Sequence, residues 1–326
     1  MSRHDPARRV AVMMGDPAGV GPEVAVRAIA ALQAAGSPSP LVIGSAEVLQ
    51  RAIAVCGLQL RIGTVPGTPR TPGERGTVDV IDPGNLDAGA VQWGSASAAN
   101  GRAVYEWVRL AEQLGDAGDI GGWVMGPINS EAMKLAGVMH DLDDLQPPGT
   151  YVLRLSGPLR VVPITEHIPL EQVPASVTCE AVLKLLQLLD VTLKAWGMAR
   201  PRLAVAGLNP HAMGRAEEQQ IAPAVRAARQ AGLDVTGPVS PDAVFRQCVE
   251  ARHDAVVSMY HDQGQIAVKT AVFAGACSVF IGLPYVHLSM PHGTAYDIAG
   301  TGTAQHESML SALKTAGALA RGEGFL

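Results

Sequence analysis

Three histidines stand in three unrelated local contexts: Thr165-Glu-His167-Ile-Pro-Leu, Gly207-Leu-Asn-Pro-His211 and Met259-Tyr-His261-Asp-Gln-Gly. A lone histidine is more often a surface or satisfied core residue than a ligand. These three each follow a short apolar run that reads as a buried strand, and ligand sites in α/β sheets form at the carboxyl ends of strands. Three imidazoles at three strand ends suit Zn²⁺, with Mg²⁺ or Co²⁺ as other divalent candidates, and leave a coordination position open for substrate. A second feature is the glycine-rich run His292-Gly-Thr-Ala-Tyr-Asp-Ile-Ala-Gly-Thr-Gly302. Its backbone amides are candidates for holding the phosphate and adenosine groups of NAD or NADP, with His292, Gly293, Thr294, Asp297 and Gly300 as contacts. A divalent ion and a dinucleotide together predict an enzyme that oxidises an alcohol.

The glycine run is not the G-x-G-x-x-G fingerprint, and no acidic residue follows at the usual distance, so a standard Rossmann reading is disfavoured. No basic cluster stands ready for a 2′-phosphate, which favours NAD. Asp297 is read either as a ribose or adenine contact or as a helix cap. Asp262 adjoins His261 and could orient it, relay a proton or cap the next helix. Lys269 sits in Gln265-Ile-Ala-Val-Lys-Thr, and a lysine inside an apolar run is costly unless paired, so it reads as a carboxylate binder or proton donor. Gly15-Asp-Pro-Ala-Gly-Val-Gly-Pro-Glu23 is either a ligand turn or an ordinary strand–helix turn, with Asp16 as a helix cap and Pro22 in the first helical turn.

Short apolar runs alternate with helical stretches along the chain. Strands are expected at Arg9–Met14, Pro40–Gly44, Gly122–Met125, Arg160–Thr165, Arg202–Ala206 and Ala255–Met259. A helix is expected over Pro22–Ala35 and another through Arg51. Glu180–Trp196 is the clearest amphipathic helix, with Leu183, Leu186, Leu189 and Leu193 at helical spacing. This alternation argues for a mostly parallel sheet flanked by helices. Residues 63–89 and 141–149 read as irregular, the first with one short strand.

At 326 residues the chain exceeds the size at which single cores usually split, so two lobes or two domains are expected. Hydrophobic content of 48% with 17% charged residues fits a compact fold, and a net charge of −5 offers no footprint for nucleic acid. Cys56, Cys179, Cys248 and Cys277 are scattered, without a CxxC pair, as in reduced proteins. No apolar run reaches membrane-spanning length and the first residues form no secretory signal, so a cytoplasmic location is expected.

At its motifs the chain resembles the 4-hydroxythreonine-4-phosphate dehydrogenase family of pyridoxal phosphate biosynthesis. The resemblance runs from Gly15-Asp-Pro-Ala-Gly-Val-Gly-Pro-Glu to Ala299-Gly-Thr-Gly302, through Gly207-Leu-Asn-Pro-His-Ala212, Met259-Tyr-His-Asp-Gln-Gly264 and Gly282-Leu-Pro284. It implies a two-lobed isocitrate/isopropylmalate dehydrogenase-like α/β fold with a cleft between the lobes. The lobes would be a cofactor-side lobe of residues 1–125 plus 288–326 and a metal-binding and dimerisation lobe of residues 126–287. It also implies a homodimer with a shared active site, in which His167 and His211 of one subunit and His261 of the other hold the metal. The implied reaction is NAD(P)-dependent oxidation of a secondary alcohol beside a carboxylate, then decarboxylation.

The departures fall around the substrate. Leu142-Asp143-Asp144-Leu145 stands where the family has Gly-His-Thr-Glu, and Ser130 where a lysine is usual. Ser278 replaces a substrate-binding asparagine and His287 a substrate-binding arginine. Asp143, Asp144, Lys269, Ser278 and His287 are therefore the candidate substrate contacts. A phosphate pocket wants fixed donors and positive charge. Their loss predicts a relative acting on a different hydroxy acid, unphosphorylated, or on a cyclic dihydrodiol carboxylate. Two other classes stay open: a metal-dependent hydrolase or lyase without nicotinamide, and a binding homologue that has lost catalysis.

Overall fold

A computed structural model describes residues 8–71, 73–271, 277–290 and 292–325, with the side chains of residues 142 and 143 outside the description. In chain order the elements are β1 (Val10–Met13), α1 (Gly21–Ala34), β2 (Leu41–Ile43), α2 (Ala46–Val55), β3 (Arg61–Thr64), β4 (Thr77–Ile81), α3 (Ala98–Ala117), β5 (Gly122–Met125) and α4 (Ser130–Leu135). Next come β6 (Tyr151–Ser156), β7 (Leu159–Thr165), α5 (Val173–Ser176), α6 (Cys179–Ala195), β8 (Arg202–Ala206), α7 (Ala222–Gln230) and β9 (Asp234–Val239). The chain ends with α8 (Pro241–Val249), β10 (Ala255–Tyr260), α9 (His261–Ala271), β11 (Cys277–Ile281), β12 (Val286–Ser289) and α10 (Glu307–Arg321).

Two compact units result, the first made of Met1–Pro147 with Pro284–Leu326 and the second of Pro148–Leu283. The first seam falls after α4, beyond the expected division at residue 125. The reason is local: a Cβ on Gly101 of α3 would lie 2.1 Å from the carbonyl oxygen of Ala132 in α4. That approach is open only to glycine, and it binds α4 to the first unit.

The first unit carries strands in the order β3-β4-β2-β1-β5-β12. All five neighbouring pairs are parallel. Parallel strands need both faces covered, and here β1 and β2 are buried throughout apart from Val10. Trp107 of α3, Trp123 of β5, Ile29 of α1 and Leu49 of α2 are fully buried around them. Each such side chain contributes about 1.5–3 kcal/mol of burial free energy. Two strands, β3 and β4, occupy the stretch expected to hold one. β4 lies wholly inside that stretch, whereas β3 starts before it at Arg61; Arg9 donates to Asp79 of β4 at 2.7 Å, both side chains almost wholly buried.

In the second unit the order is β11-β6-β7-β10-β8-β9. The pairs β11–β6 and β6–β7 are antiparallel, whereas β7–β10, β10–β8 and β8–β9 are parallel. Leu159, Val161, Ala204, Ala206, Val244, Cys248, Val256 and Val268 form one buried cluster that locks α8 and α9 onto β7, β8 and β10. Helix α6 buries Leu186, Leu189 and Leu193 of the expected stripe, leaves Leu183 half-buried and adds Val182 and Leu185, and Thr178 caps its first turn by accepting from the Ala181 N–H.

The Gly101 contact is a test of this packing. Gly101→Ala should lower stability by about 1–3 kcal/mol, since the obstructing atoms are backbone and cannot swing aside. Urea unfolding measures it, and an unchanged midpoint would refute the α3–α4 packing.

Candidate functional site

Strands β7, β10 and β8 are consecutive neighbours and run in one direction, so their carboxyl ends share an edge. His167 lies two residues past β7, His261 opens α9 at the end of β10, and His211 sits in the short 3₁₀ turn after β8. Strand spacing of about 4.8 Å therefore carries the three loops side by side.

The chain ties these ends together with polar side chains. Thr165 Oγ1 donates to the Met259 carbonyl at 3.1 Å, joining β7 to β10. Gln263 Nε2 donates to the Gly207 carbonyl at 2.9 Å, and its Oε1 accepts from the Met259 N–H at 2.7 Å, joining β10 to β8. Glu217 braces the Asn209 loop, accepting from its N–H at 2.7 Å and from its side-chain amide at 2.8 Å. Burial works upward on the Glu217 carboxyl, yet those hydrogen bonds hold it below the ordinary carboxylate range.

At this edge the His167 and His261 rings approach to 5.0 Å between centroids. Glu166 joins them, and one ligand atom from each of the three lies within 4.8 Å of the others. Two imidazole nitrogens and a carboxylate oxygen are a donor set that fits Zn²⁺ or a similar divalent ion. Asp262 Oδ1 lies 2.7 Å from His261 Nδ1. With Nδ1–H donated to that carboxylate, Nε2 is the nitrogen free to ligate. The resemblance assigns His261 to a different subunit from His167; within a single chain the two already converge. His211 is outside the described three-residue group. It is exposed with left-handed backbone, φ 56°, and its positive form would help keep the nearby Asp242 carboxyl low, after the Ser240 hydroxyl.

Glu166 and Arg154 went unread in the sequence. Arg154 of β6 grips Glu166 with both guanidinium arms, at 3.1 and 2.6 Å, and both side chains are largely buried. Ser278 of β11 is the cross-strand partner of Arg154 and shares its face of the sheet. An acid directly preceding a strand-end histidine was the available signal. Lys269 needs correction: it lies exposed on the last turn of α9, so the cost of burial does not select its role.

In the first unit the two glycine-rich segments meet. Asp16 is fully buried; its Oδ1 accepts from the Ala18 N–H at 2.8 Å and its Oδ2 from the Tyr296 hydroxyl at 2.9 Å. Helix α1 begins later, at Gly21, so Asp16 is a clasp and not a helix cap. Burial raises its pKa, against the lowering effect of those two bonds. The Val20 N–H donates to the Thr294 carbonyl, and Thr294 is buried where a Cβ on Gly19 would strike it.

The amide array needs correction too. Glu23, fully buried on α1, accepts from the Gly300 N–H at 2.6 Å and the Gly302 N–H at 2.8 Å, and Arg27 one turn on donates to the Gly302 carbonyl. The end of the run is thus bound to α1, and Gly300 is glycine because Trp93 leaves no room for a Cβ. Gly293, by contrast, has open space around it, His292 is half-buried and Asp297 is exposed.

His287 is the largest departure from expectation. It is 1% exposed in β12, stacked at 3.8 Å on Trp123, its register partner in β5, and burial drives its pKa down to about 3. A neutral core ring is not a substrate contact. Asp144 is exposed and accepts from the His140 and Asp141 N–H groups, which lower its pKa; it closes its own turn. The Asp143 side chain lies outside the described residues.

These features match known proteins. The family of the pyridoxal phosphate biosynthetic protein PdxA matches residues 37–316. A relative from Novosphingobium aromaticivorans, provisionally named a 4-hydroxythreonine-4-phosphate dehydrogenase, is 43% identical over 97% of this chain and 96% of its own. The chain belongs to the PdxA family. Its activity is that of an oxidoreductase on a CH–OH group. A relative from Symbiobacterium thermophilum, provisionally named a D-threonate 4-phosphate dehydrogenase, is 37% identical over 94% of each chain. The 4-hydroxythreonine-4-phosphate dehydrogenase structure from Klebsiella pneumoniae superimposes with TM-score 0.85, at 35% identity over 96% of this chain and 99% of its own. A terephthalate 1,2-cis-dihydrodiol dehydrogenase structure from Burkholderia xenovorans LB400 gives 0.73, at 28% identity over 98% and 99%. No helix among the described residues is long and apolar enough to cross a membrane.

Two measurements follow. A buried Asp16 with a raised pKa favours its neutral form in the folded state, so it costs stability as pH rises above the unfolded value and not below it. Asp16→Asn should therefore melt higher than the parent at pH 7, the gain vanishing towards pH 3; a pH-independent difference would refute the assignment. His287→Phe conserves a buried aromatic ring, so kcat/KM should stay within about threefold and stability within about 1.5 kcal/mol. A large loss of substrate affinity with an intact fold would restore His287 to the site.

Proposed function

We propose that this protein is a divalent-metal- and NAD(P)-dependent dehydrogenase that oxidises a secondary alcohol next to a carboxylate of a phosphorylated hydroxy acid, with loss of carbon dioxide. The observation that carries this is the gathering of His167, His261 and Glu166 at the carboxyl ends of neighbouring parallel strands. His211, at the next strand end, is the further candidate ligand, by resemblance. A metal held there supplies Lewis acidity towards the substrate hydroxyl and towards the charge that develops when carbon dioxide leaves. Asp262 fixes the His261 tautomer. Arg154 holds the Glu166 carboxylate by two charge-assisted bonds, which keep it aimed. Ser278, on the same sheet face, is placed to donate to a substrate oxygen. Lys269, being exposed, is free to bind a substrate carboxylate or to return a proton. The His292–Gly302 segment is the candidate nicotinamide-cofactor segment, with its open face at Gly293 and Asp297. A homodimer and a cytoplasmic setting are consistent with the family.

A second reading keeps the chemistry and changes the substrate to an unphosphorylated hydroxy acid or a cyclic dihydrodiol carboxylate. It is favoured by Arg154, whose guanidinium beside Ser278 is already committed to Glu166, and by the likeness to the dihydrodiol dehydrogenase.

Absorbance at 340 nm, with 4-phosphohydroxythreonine, D-threonate 4-phosphate and the terephthalate cis-dihydrodiol as substrates, decides between them. The first reading expects turnover of a phosphorylated acid, lost with a chelator and restored by Zn²⁺; full activity without metal would refute both readings. Asp262→Ala should weaken Zn²⁺ affinity or activity about 10- to 100-fold, as loss of a ligand-orienting carboxylate does. Calorimetric Zn²⁺ titration separates this from a folding defect.

A further inference from the structure

At the amino ends of β1 and β2, in the first unit, a cavity of about 750 Å³ opens among residues that the proposed reaction does not use. Its wall carries six cations: Arg8, Arg9, Arg70, Arg75, Lys314 and Arg321. Arg9 answers Asp79 and Arg321 answers Glu323. Arg8, Arg75 and Lys314 make no ion pair among the described residues, and the Arg8 Nε is buried without a hydrogen-bond partner there. The chain as a whole carries −5, so this concentration of positive charge runs against its average. Arg9 and Arg321 are thus already compensated, and the charge that an entering anion would meet is that of Arg8, Arg75 and Lys314, which repel each other across the concavity.

We propose that this cavity binds a phosphorylated small molecule of about nucleotide size, at a site separate from the strand-end histidines. Arginine forks match phosphate oxygens two at a time, and Arg75 with Lys314 at the exposed rim are placed to meet them. Val10, Leu32 and Leu313 give the cavity an apolar side against which a base or ring can lie. The volume is in the range of small-molecule clefts. Ligand and substrate thus differ in place: the cavity lies where strands of the first unit begin, the histidines where strands of the second unit end.

Calorimetry with inorganic pyrophosphate and with AMP, against adenosine, tests this in a His167→Ala/His261→Ala variant of the full chain, so that failure of the proposed reaction leaves the assay intact. Pyrophosphate and AMP should bind and adenosine should not, which would assign recognition to phosphate. Arg75→Glu/Lys314→Glu should weaken both at least about tenfold, the loss expected when charge-assisted phosphate contacts are reversed. Both residues are exposed, and relief of repulsion should leave the ligand-free melting temperature equal or higher. Arg226→Glu, an exposed charge of the second unit, should change nothing. No binding at about 10 mM pyrophosphate, a dissociation constant above the weak millimolar limit, would overturn the proposal. So would equal weakening by Arg226→Glu, which would reduce the effect to net charge.

Discussion

Parallel pairing of β7, β10 and β8 is the constraint on which the site depends. Antiparallel neighbours would send alternate loops to opposite edges, whereas three parallel neighbours must deliver three loops to one edge at ladder spacing. The sheet of the second unit changes direction only at β6 and β11, on the other side of β7. That antiparallel pair brings its own benefit: β6 and β11 set Arg154 opposite Ser278, and Arg154 reaches Glu166 beyond the end of β7. One sheet thereby gathers the candidate ligands from its parallel half and the group that holds one of them from its antiparallel half.

Buried carboxylates recur as fasteners in both units. Glu23 holds two backbone N–H groups of the 300–302 turn, Glu217 holds the Asn209 loop, and Asp16 holds Ala18 and Tyr296. An ionised carboxylate taking two good hydrogen bonds recovers much of its desolvation cost, and each charged bond contributes about 1.5–3 kcal/mol. The sense of the pKa shift separates the cases. In Glu217 the hydrogen bonds outweigh burial and the carboxyl is held low; in Asp16 burial outweighs them and it is pushed up. Glu217 is thus a stable anchor near neutral pH, while Asp16 is a strained one.

Much of the architecture could be read directly from residue pattern. Runs such as Arg202–Ala206 and Ala255–Met259 became strands β8 and β10 nearly residue for residue, because β-branched and small apolar residues bounded by polar turns admit little else. Strands β6, β9, β11 and β12 are not among those expected, and charge inside a strand is one reason the pattern is weak. β4 contains Asp79 and β6 contains Arg154, and each charge is buried only because a partner distant in sequence, Arg9 or Glu166, neutralises it. Periodicity reports the average environment of a position, whereas a buried ion pair is a tertiary contact with no local signature. The same limit applies to the site: the three histidines could be placed after strands from the chain alone, but the approach of His167 and His261 to each other and to Glu166, with His211 outside that group, is a tertiary fact.

His287 shows how residue type misleads when burial is unknown. As a replacement for a substrate-binding arginine it argued for a lost phosphate contact, yet Trp123 and the sheet enclose it and keep it neutral. Its side chain therefore says nothing about the charge of the substrate. The part of that argument which survives rests on Arg154, for a different reason. A guanidinium that spends both arms on a carboxylate has fewer donors left for a phosphate, and releasing it would leave Glu166 uncompensated in a largely buried setting. Breaking such a pair costs about 3–5 kcal/mol, comparable to what a phosphate contact returns. The described contacts of this arginine therefore tie it to the candidate ligand Glu166 and give no measure of the substrate's charge.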